Sequence, residues 1–171
     1  DQELADKKTK DIRYCVAWLE IPGTDIDYPV MQKLGNPEYY LRRNYKGEYS
    51  YSGTPFLDAG CSVSTSQNLI VYGHNMKDGS MFADLLSYAD PAFWEQHPAI
   101  RFDTLNEAGT YEVLAAFYAD VALRDTGVEV PFYQYTDLRD ADTFAAYLEL
   151  VEGAALYDTC LLYTSDAADE L

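Results

Sequence analysis

The chain has 171 residues, of which 48% are hydrophobic and 15% aromatic, enough for one folded domain with a core of its own. Twelve basic against twenty-nine acidic side chains give a net charge of -17. This charge excludes a nucleic-acid partner, because binding to a phosphate backbone depends on Lys and Arg. No run reaches the roughly 18 apolar residues of a membrane span, and no signal-peptide pattern opens the chain.

In chain order, the pattern predicts a polar helical stub over residues 1–12, then about six strands and two or three short helices. The strands are short apolar or alternating runs between Gly, Pro and polar turn residues, over residues 16–21, 26–30, 54–58, 68–72, 99–105 and 110–121. The first two and the last two form hairpins, and 110–121 is the longest. Helical turns are predicted over 36–43, 80–88 and 142–151. This mainly β pattern, rich in tyrosine, is typical of a barrel or sandwich.

The three cysteines, Cys15, Cys61 and Cys160, are too few and too scattered for a disulfide framework. Together with two histidines at these spacings they match no zinc pattern. We therefore expect no metal site. Cys15 has apolar neighbours and is predicted to be a buried small hydrophobe. Cys61 lies in a Ser-rich loop and is predicted to be exposed.

His74 follows the apolar run 68–72, where an exposed strand end meets a loop. Scaffolds present catalytic groups at such places, and an imidazole transfers protons near neutral pH. The alternative is a structural histidine that caps the strand end or bonds the loop around Asp78. His97 precedes a proline at the start of a strand and is predicted to be structural.

Four segments occur in the same order as in class B sortases, the transpeptidases of Gram-positive cell surfaces. They read VAWLEIPGTDIDYPVMQ, NPEYYLRRNYKGEYSYSGTPFLD, NLIVYGHNMKDGSMFADL and FWEQHPAIRF. The resemblance runs from about Tyr14 to Asp158, and its most specific part is YGHNMKDGSMF. It implies a closed, sortase-like β-barrel with an N-terminal helical stub and a helix between the sixth and seventh strands.

The resemblance also implies a chemistry for the site. His74 matches the catalytic histidine of the family at the end of the fourth strand. A cysteine thiolate cleaves a sorting-signal peptide and holds the acyl group as a thioester, while the histidine acts as acid and base and an arginine stabilises the oxyanion. The partners implied are the sorting-signal peptide of a secreted surface protein and an amine of a cell-wall precursor or pilin, and this chemistry requires no cofactor. Tyr72, two residues before His74, is predicted either to line the peptide groove or to pack as a barrel aromatic.

The end of the chain departs from the family pattern. Class B sortases end a seventh strand in a TLSTC-like motif, and an arginine follows on the eighth strand. In this chain Thr159 and Cys160 match the last two residues of that motif, so Cys160 is a candidate nucleophile. Three features argue instead for an accidental thiol: no apolar strand precedes Cys160, no arginine follows Arg139, and CLLYTSDAADEL resembles translated adapter sequence.

We therefore expect an incomplete catalytic domain over residues 13–159, a non-native tail over 160–171, and an absence of the last two strands, which carry the nucleophile and the arginine. The fragment is predicted to be inactive and marginally stable. The resemblance also implies a protein held on the extracellular face of the membrane by an N-terminal anchor, which is absent from this chain. The alternative is a non-catalytic β-barrel module that binds sorting-signal-like peptides without cutting them.

Overall fold

The computed structural model describes residues 13–119 and 132–160. The predicted helical stub over 1–12 and residues 161–171 of the predicted tail lie outside this part. Within it, the strands are β1 Cys15–Glu20, β2 Asp27–Met31, β3 Phe56–Leu57, β4 Val71–Tyr72, β5 Ala99–Thr104 and β6 Thr110–Glu112. The α-helices are α1 Pro91–Gln96 and α2 Ala141–Ala154, and 3-10 turns cover Tyr39–Arg42, Ala83–Ala89 and Phe132–Gln134.

All six strands form one sheet in the order β4-β3-β2-β1-β5-β6. Leu19 in β1 pairs with Tyr28 of β2 on one side and Phe102 of β5 on the other, both antiparallel. The predicted hairpins β1–β2 and β5–β6 are confirmed. Only the β2–β3 pair is parallel within the described sheet, because the chain between them crosses over through the 3-10 turn Tyr39–Arg42.

The mainly β class is confirmed, but the predicted closed barrel is not what the described residues form. Their sheet is an open, curled half-barrel, because the end strands β4 and β6 do not pair with each other. A cleft of about 1040 Å³ separates the two edges, with Val71 on one side, Tyr111 on the other and Leu148 of α2 beside them. Whether two further strands fill this space remains a prediction.

The strand predicted over 110–121 ends at Glu112. Its partner β5 begins at Ala99, after Pro98, which has no N–H to donate. Val113 donates to the Pro98 carbonyl at 2.8 Å, and beyond it the ladder stops. The carbonyls of Leu114 and Ala116 instead accept hydrogen bonds from the segment after α2. Residues 120 and 121 lie outside the described part.

The helical region after His74 differs from the prediction in its geometry. Residues Ala83–Ala89 form a 3-10 helix, and α1, which was not predicted, begins directly afterwards at Pro91. Asp90 caps α1 by accepting a hydrogen bond from the Ala92 amide at 2.9 Å. An Asp followed by Pro at the first helical position is a helix-start signal, so α1 could have been predicted.

The predicted final helix is confirmed as α2, capped by Asp140, which accepts from the Thr143 amide at 2.9 Å. Val151 is buried, whereas Phe144 is 45% exposed beside the cleft. The apolar face of α2 is therefore only partly covered.

The core consists of three clusters of buried residues. The first joins β1, β2, β3 and β5 through Ala17, Val30, Leu57, Cys61, Ile70 and Phe102. The second lies beneath the 3-10 helix and α1 and contains Ile21, Ile26, Phe82, Tyr88 and Val113. The third contains Met31, Tyr40 and Phe56. It packs against Tyr72, which lies two residues before His74.

Candidate functional site

His74 lies directly after β4, half-buried, with its imidazole against the 3-10 turn Tyr39–Arg42. Its Nε2 is 2.8 Å from the carbonyl oxygen of Leu41. A carbonyl oxygen only accepts hydrogen bonds, so Nε2 carries the proton and Nδ1 is the nitrogen that can accept one. The hydrogen bond thus fixes both the orientation and the tautomer of the ring.

Gly53 lies close to the Leu41 carbonyl. This glycine has a φ of +64°, and a Cβ there would lie 2.5 Å from the Leu41 oxygen and 2.7 Å from the Tyr40 oxygen. The next residue, Thr54, donates its amide to the Tyr40 carbonyl at 3.1 Å. Only glycine fits this position, because it combines a left-handed backbone with backbone oxygens closer than any real Cβ contact.

His74 borders a pocket of about 410 Å³. Its walls combine apolar side chains with a few polar groups, and they are formed by Pro37, Glu38, Leu41, Thr54, Phe56, Asp58, Ala59, Tyr72, Gly73 and His74. Such a combination is typical of sites for small ligands or short peptide segments.

Tyr72 shares this pocket with His74, as expected from its position on the same strand. Its ring packs on Phe56, with centroids 5.4 Å apart, and its hydroxyl donates to Asp58 Oδ2 at 2.8 Å. Tyr72 therefore combines a packed aromatic ring with a place in the pocket wall, and its role in a peptide groove stays a prediction. The sequence interpretation did not single out Leu41, Gly53 or Asp58, since they reach the site from other strands and turns.

The segment after His74 folds back on itself. Asn75 bridges Met81, and Phe82 donates its amide to the His74 carbonyl at 2.8 Å. Gly73 permits the close approach, because a Cβ there would meet the Phe82 ring at 2.4 Å. Asp78 accepts from the Ser80 hydroxyl and amide, and these hydrogen bonds lower the pKa of its carboxyl. The Asp78 side chain thus bonds Ser80, while His74 bonds Leu41.

Cys61 is buried, contrary to its predicted exposure. Its loop folds onto β2, because Gln32 Nε2 donates to the Asp58 and Cys61 carbonyls at 3.0 and 2.8 Å. Burial raises the pKa of the Cys61 thiol. Cys15 is half-buried, its Sγ is 3.3 Å from the Ala17 carbonyl, and burial raises its pKa as well. Neither thiol has the lowered pKa of an activated nucleophile.

Cys160 is exposed, with its amide donating to Asp158 Oδ1 at 2.7 Å. The preceding residue, Thr159, is buried and donates its hydroxyl to the Leu114 carbonyl. Among the described residues that line the His74 pocket there is no cysteine and no arginine. Arg139 bonds Asp137 instead and holds the pKa of that carboxyl at about 2.

His97 has a structural role, as predicted. Its Nδ1 lies 2.9 Å from the Pro22 carbonyl, and its ring packs on Phe93 with centroids 4.3 Å apart. In residues 13–119 and 132–160, no group of three His, Cys, Asp or Glu could hold a metal ion. The same residues include no helix with the length and apolarity needed to cross a membrane.

Comparison with known proteins gives a consistent result, although no protein-family model matches the chain. The chain is 37% identical over 164 residues to Sortase B of Listeria monocytogenes, covering 91% of this chain and 59% of that protein. It therefore spans less than two thirds of the length of this curated relative.

Two solved structures are similar over most of the chain. A sortase B structure from Listeria monocytogenes has 35% identity and a TM-score of 0.75, covering 91% of this chain and 83% of that one. A structure described as a Staphylococcus aureus sortase B–substrate complex has 26% identity and a TM-score of 0.75, covering 92% of this chain and 68% of that one. The half-barrel, the His74 segment and these similarities agree: the chain belongs to the class B sortase family.

Proposed function

We propose that the protein is a cysteine transpeptidase that cleaves surface-protein sorting signals and transfers the acyl group to a cell-wall or pilin amine. The observation that carries this proposal is the position of His74, an oriented imidazole at the border of a mixed apolar and polar pocket. The similar Staphylococcus aureus structure described as a substrate complex supports a peptide in the corresponding place.

In this mechanism a cysteine thiolate attacks the scissile carbonyl carbon, and the carbonyl electrons move to oxygen. As the oxyanion collapses, the C–N bond breaks, and protonated His74 donates its proton to the departing amine. The acyl group then rests on sulfur as a thioester. His74 next removes a proton from the incoming amine, which attacks the thioester and releases the thiolate. An arginine stabilises the oxyanion in both steps.

Tyr72 and its neighbours would position the peptide. The Phe56 and Tyr72 rings offer an apolar wall, and the Asp58–Tyr72 hydrogen bond keeps the phenol ring in one orientation. The Leu41 carbonyl holds the His74 ring until substrate arrives.

We further propose that this 171-residue chain is inactive, since no described cysteine or arginine lines the pocket. The nucleophile and the arginine would belong to two strands that fill the cleft between β4 and β6. Cys160 stays the weaker candidate, because its amide bonds Asp158 and Cys160 is not among the described residues that line the pocket. We also propose that the whole protein acts on the extracellular face of the membrane, held by an N-terminal anchor.

The first test is to sequence the gene beyond the codon for Asp158. The transpeptidase proposal expects an apolar strand that ends in Thr-Cys and an arginine on the next strand. A protein with that continuation should cleave a fluorogenic sorting-signal peptide, and His74→Ala should reduce the rate by about 10²–10⁴-fold. A full-length protein that lacks such a strand, or is insensitive to His74→Ala, would contradict the proposal.

The second candidate is a non-catalytic module that binds sorting-signal peptides, and the lack of a thiol among the described pocket residues favours it. Fluorescence anisotropy would measure the affinity of labelled sorting-signal peptides for the 171-residue chain, and intact-mass spectrometry would detect an acyl adduct. Binding without an adduct agrees with inactivity of this chain, and binding unchanged in His74→Ala favours the module. A thioester on Cys160 would exclude the module and identify the nucleophile.

A further inference from the structure

Positive charge is concentrated on one part of this acidic protein. Five of the eight Lys and Arg in the described residues lie together among exposed tyrosines, and we call this group the basic tyrosine patch: Arg13, Lys33, Arg42, Arg43 and Lys46, with Tyr14, Tyr39, Tyr45 and Tyr51. Over residues 33–51 the acidic side chains are Glu38 and Glu48. The whole chain, in contrast, carries 29 acidic and 12 basic side chains.

The cations of the patch contact aromatic rings rather than carboxylates. Lys33 Nζ is 3.7 Å from the Tyr39 ring centroid and 5.3 Å from that of Tyr14. The Arg43 guanidinium lies 4.6 Å from the Tyr39 centroid. Within the described residues, the ion pairs are Arg101–Glu20 and Arg139–Asp137, both outside the patch. Contact with a ring leaves the full positive charge in place, so the patch can attract an anion.

The patch also contains a concavity of about 230 Å³. Its described lining has two cations, four tyrosines and no acidic side chain: Arg13, Tyr14, Tyr39, Tyr40, Tyr45, Lys46 and Gly47. Glu48, next to Gly47, accepts a hydrogen bond from Asn44 Nδ2 at 2.9 Å, and Glu38, next to Tyr39, lines the His74 pocket. Arg and Lys donors beside phenol hydroxyls suit a phosphate group.

Apolar side chains at the patch distinguish between phosphate-bearing partners. Leu34, next to Lys33, is 78% exposed, and Tyr49 and Tyr51 are 76% and 66% exposed. A soluble phosphate polymer offers no apolar environment for Leu34. A bilayer surface does, since tyrosine rings prefer the lipid–water interface and Lys and Arg reach the headgroups above it.

We propose that the basic tyrosine patch docks this protein on an anionic phospholipid surface. Lipid phosphates bind between Arg13 and Lys46, and Leu34 with the exposed tyrosines enters the interface. The acidic remainder of the protein does not prevent this, because charges farther than about 10 Å from the headgroups are screened at 0.1 M salt. The docking is independent of the chemistry proposed for His74.

Co-sedimentation with vesicles tests this proposal. We expect the 171-residue protein to bind vesicles of equal parts phosphatidylglycerol and phosphatidylcholine, and to bind phosphatidylcholine alone far more weakly. Each basic side chain near an anionic surface contributes about fivefold to partitioning, so Arg13→Gln with Lys46→Gln should reduce binding about 25-fold. Higher salt should weaken binding of the unchanged protein.

A matched control removes the same charge elsewhere: Lys77→Gln with Arg101→Gln should change vesicle binding less than about twofold. Thermal melts show whether each variant is folded. Leu34→Ser should weaken vesicle binding and leave binding of soluble polyphosphate unchanged. The proposal would be overturned if both double variants lost vesicle binding equally, or if the protein bound neutral and anionic vesicles equally. Binding of polyphosphate without binding of vesicles would also overturn it.

Discussion

The two edges of the sheet are both short, two residues in β4 and three in β6, yet their surroundings differ. At the β4 edge the chain continues into His74, whose ring is bonded to Leu41 and whose carbonyl is bonded to the Phe82 amide. At the β6 edge all three strand residues are exposed, and the ladder stops where β5 begins after Pro98.

The difference shows what makes a strand end suitable for a catalytic side chain. Contacts from the turn Tyr39–Arg42 and from the loop after His74 hold the β4 end from two directions. The β6 end faces the cleft, and on its side away from β5 no described strand pairs with it. Rigid support, rather than the strand itself, positions His74.

The largest expected contrast between the two edges is in stability. Leu57 of β3 is 1% exposed and pairs with Val71, whereas Tyr111 of β6 is 53% exposed. Leu57→Ala should lower the free energy of unfolding by about 2–5 kcal/mol, because it leaves a cavity. Tyr111→Ala should cost about 1 kcal/mol or less. Urea denaturation followed by circular dichroism measures both, and equal losses would contradict the comparison.

A second expected effect concerns the support of His74. Gly53→Ala should cost about 1–3 kcal/mol of stability and weaken sorting-peptide binding, because its Cβ would displace the Leu41 carbonyl. Gly35→Ala is the matched control, since Gly35 also has a positive φ, of +84°, but has nothing within 4 Å. Gly35→Ala should lose only the stability that backbone strain costs, and its affinity for the peptide should not change. Peptide affinity that falls equally in both variants would contradict the role of Gly53.

A third effect is chemical. Burial raises the pKa of the Cys61 thiol, so at pH 8 less of it is thiolate than for an exposed thiol, and the fraction grows as the pH rises toward that pKa. Exposed Cys160 should therefore react with iodoacetamide faster than Cys61, by on the order of tenfold. Peptide mapping by mass spectrometry gives the two rates. If Cys61 reacts as fast as Cys160, the loop between β3 and β4 that contains Cys61 must open and expose the thiol.

The smallest effect is expected at α2, beside the cleft. Asp140→Ala removes the cap that accepts the Thr143 amide and should cost about 1 kcal/mol. Asp142→Ala, in the first turn of the same helix, serves as a control, with an expected cost of a few tenths of a kcal/mol. Thermal melts compare the two variants. A larger loss for Asp142→Ala would mean that the cap does not determine where α2 begins.

Much of the architecture followed from local patterns. The hairpins β1–β2 and β5–β6 were predicted from turn residues between apolar runs, and α2 from apolar residues at helical spacing. The predicted length of β6 was wrong, because the apolar run continues past Glu112 while the partner strand does not. The exposure of Cys61 was also wrong, since Ser-rich composition does not reveal that Gln32 binds the loop.

The sequence by itself determined the mainly β class and the place of His74 after a strand, because composition and periodicity are local properties. Only the tertiary structure decided which carbonyl binds the imidazole, that Gly53 must be glycine, and that Tyr72 meets Asp58. Tertiary structure also brought Arg13 and Lys46 to one concavity. These contacts join residues distant in sequence, and the spacing of residues along a chain does not determine which of them meet in space.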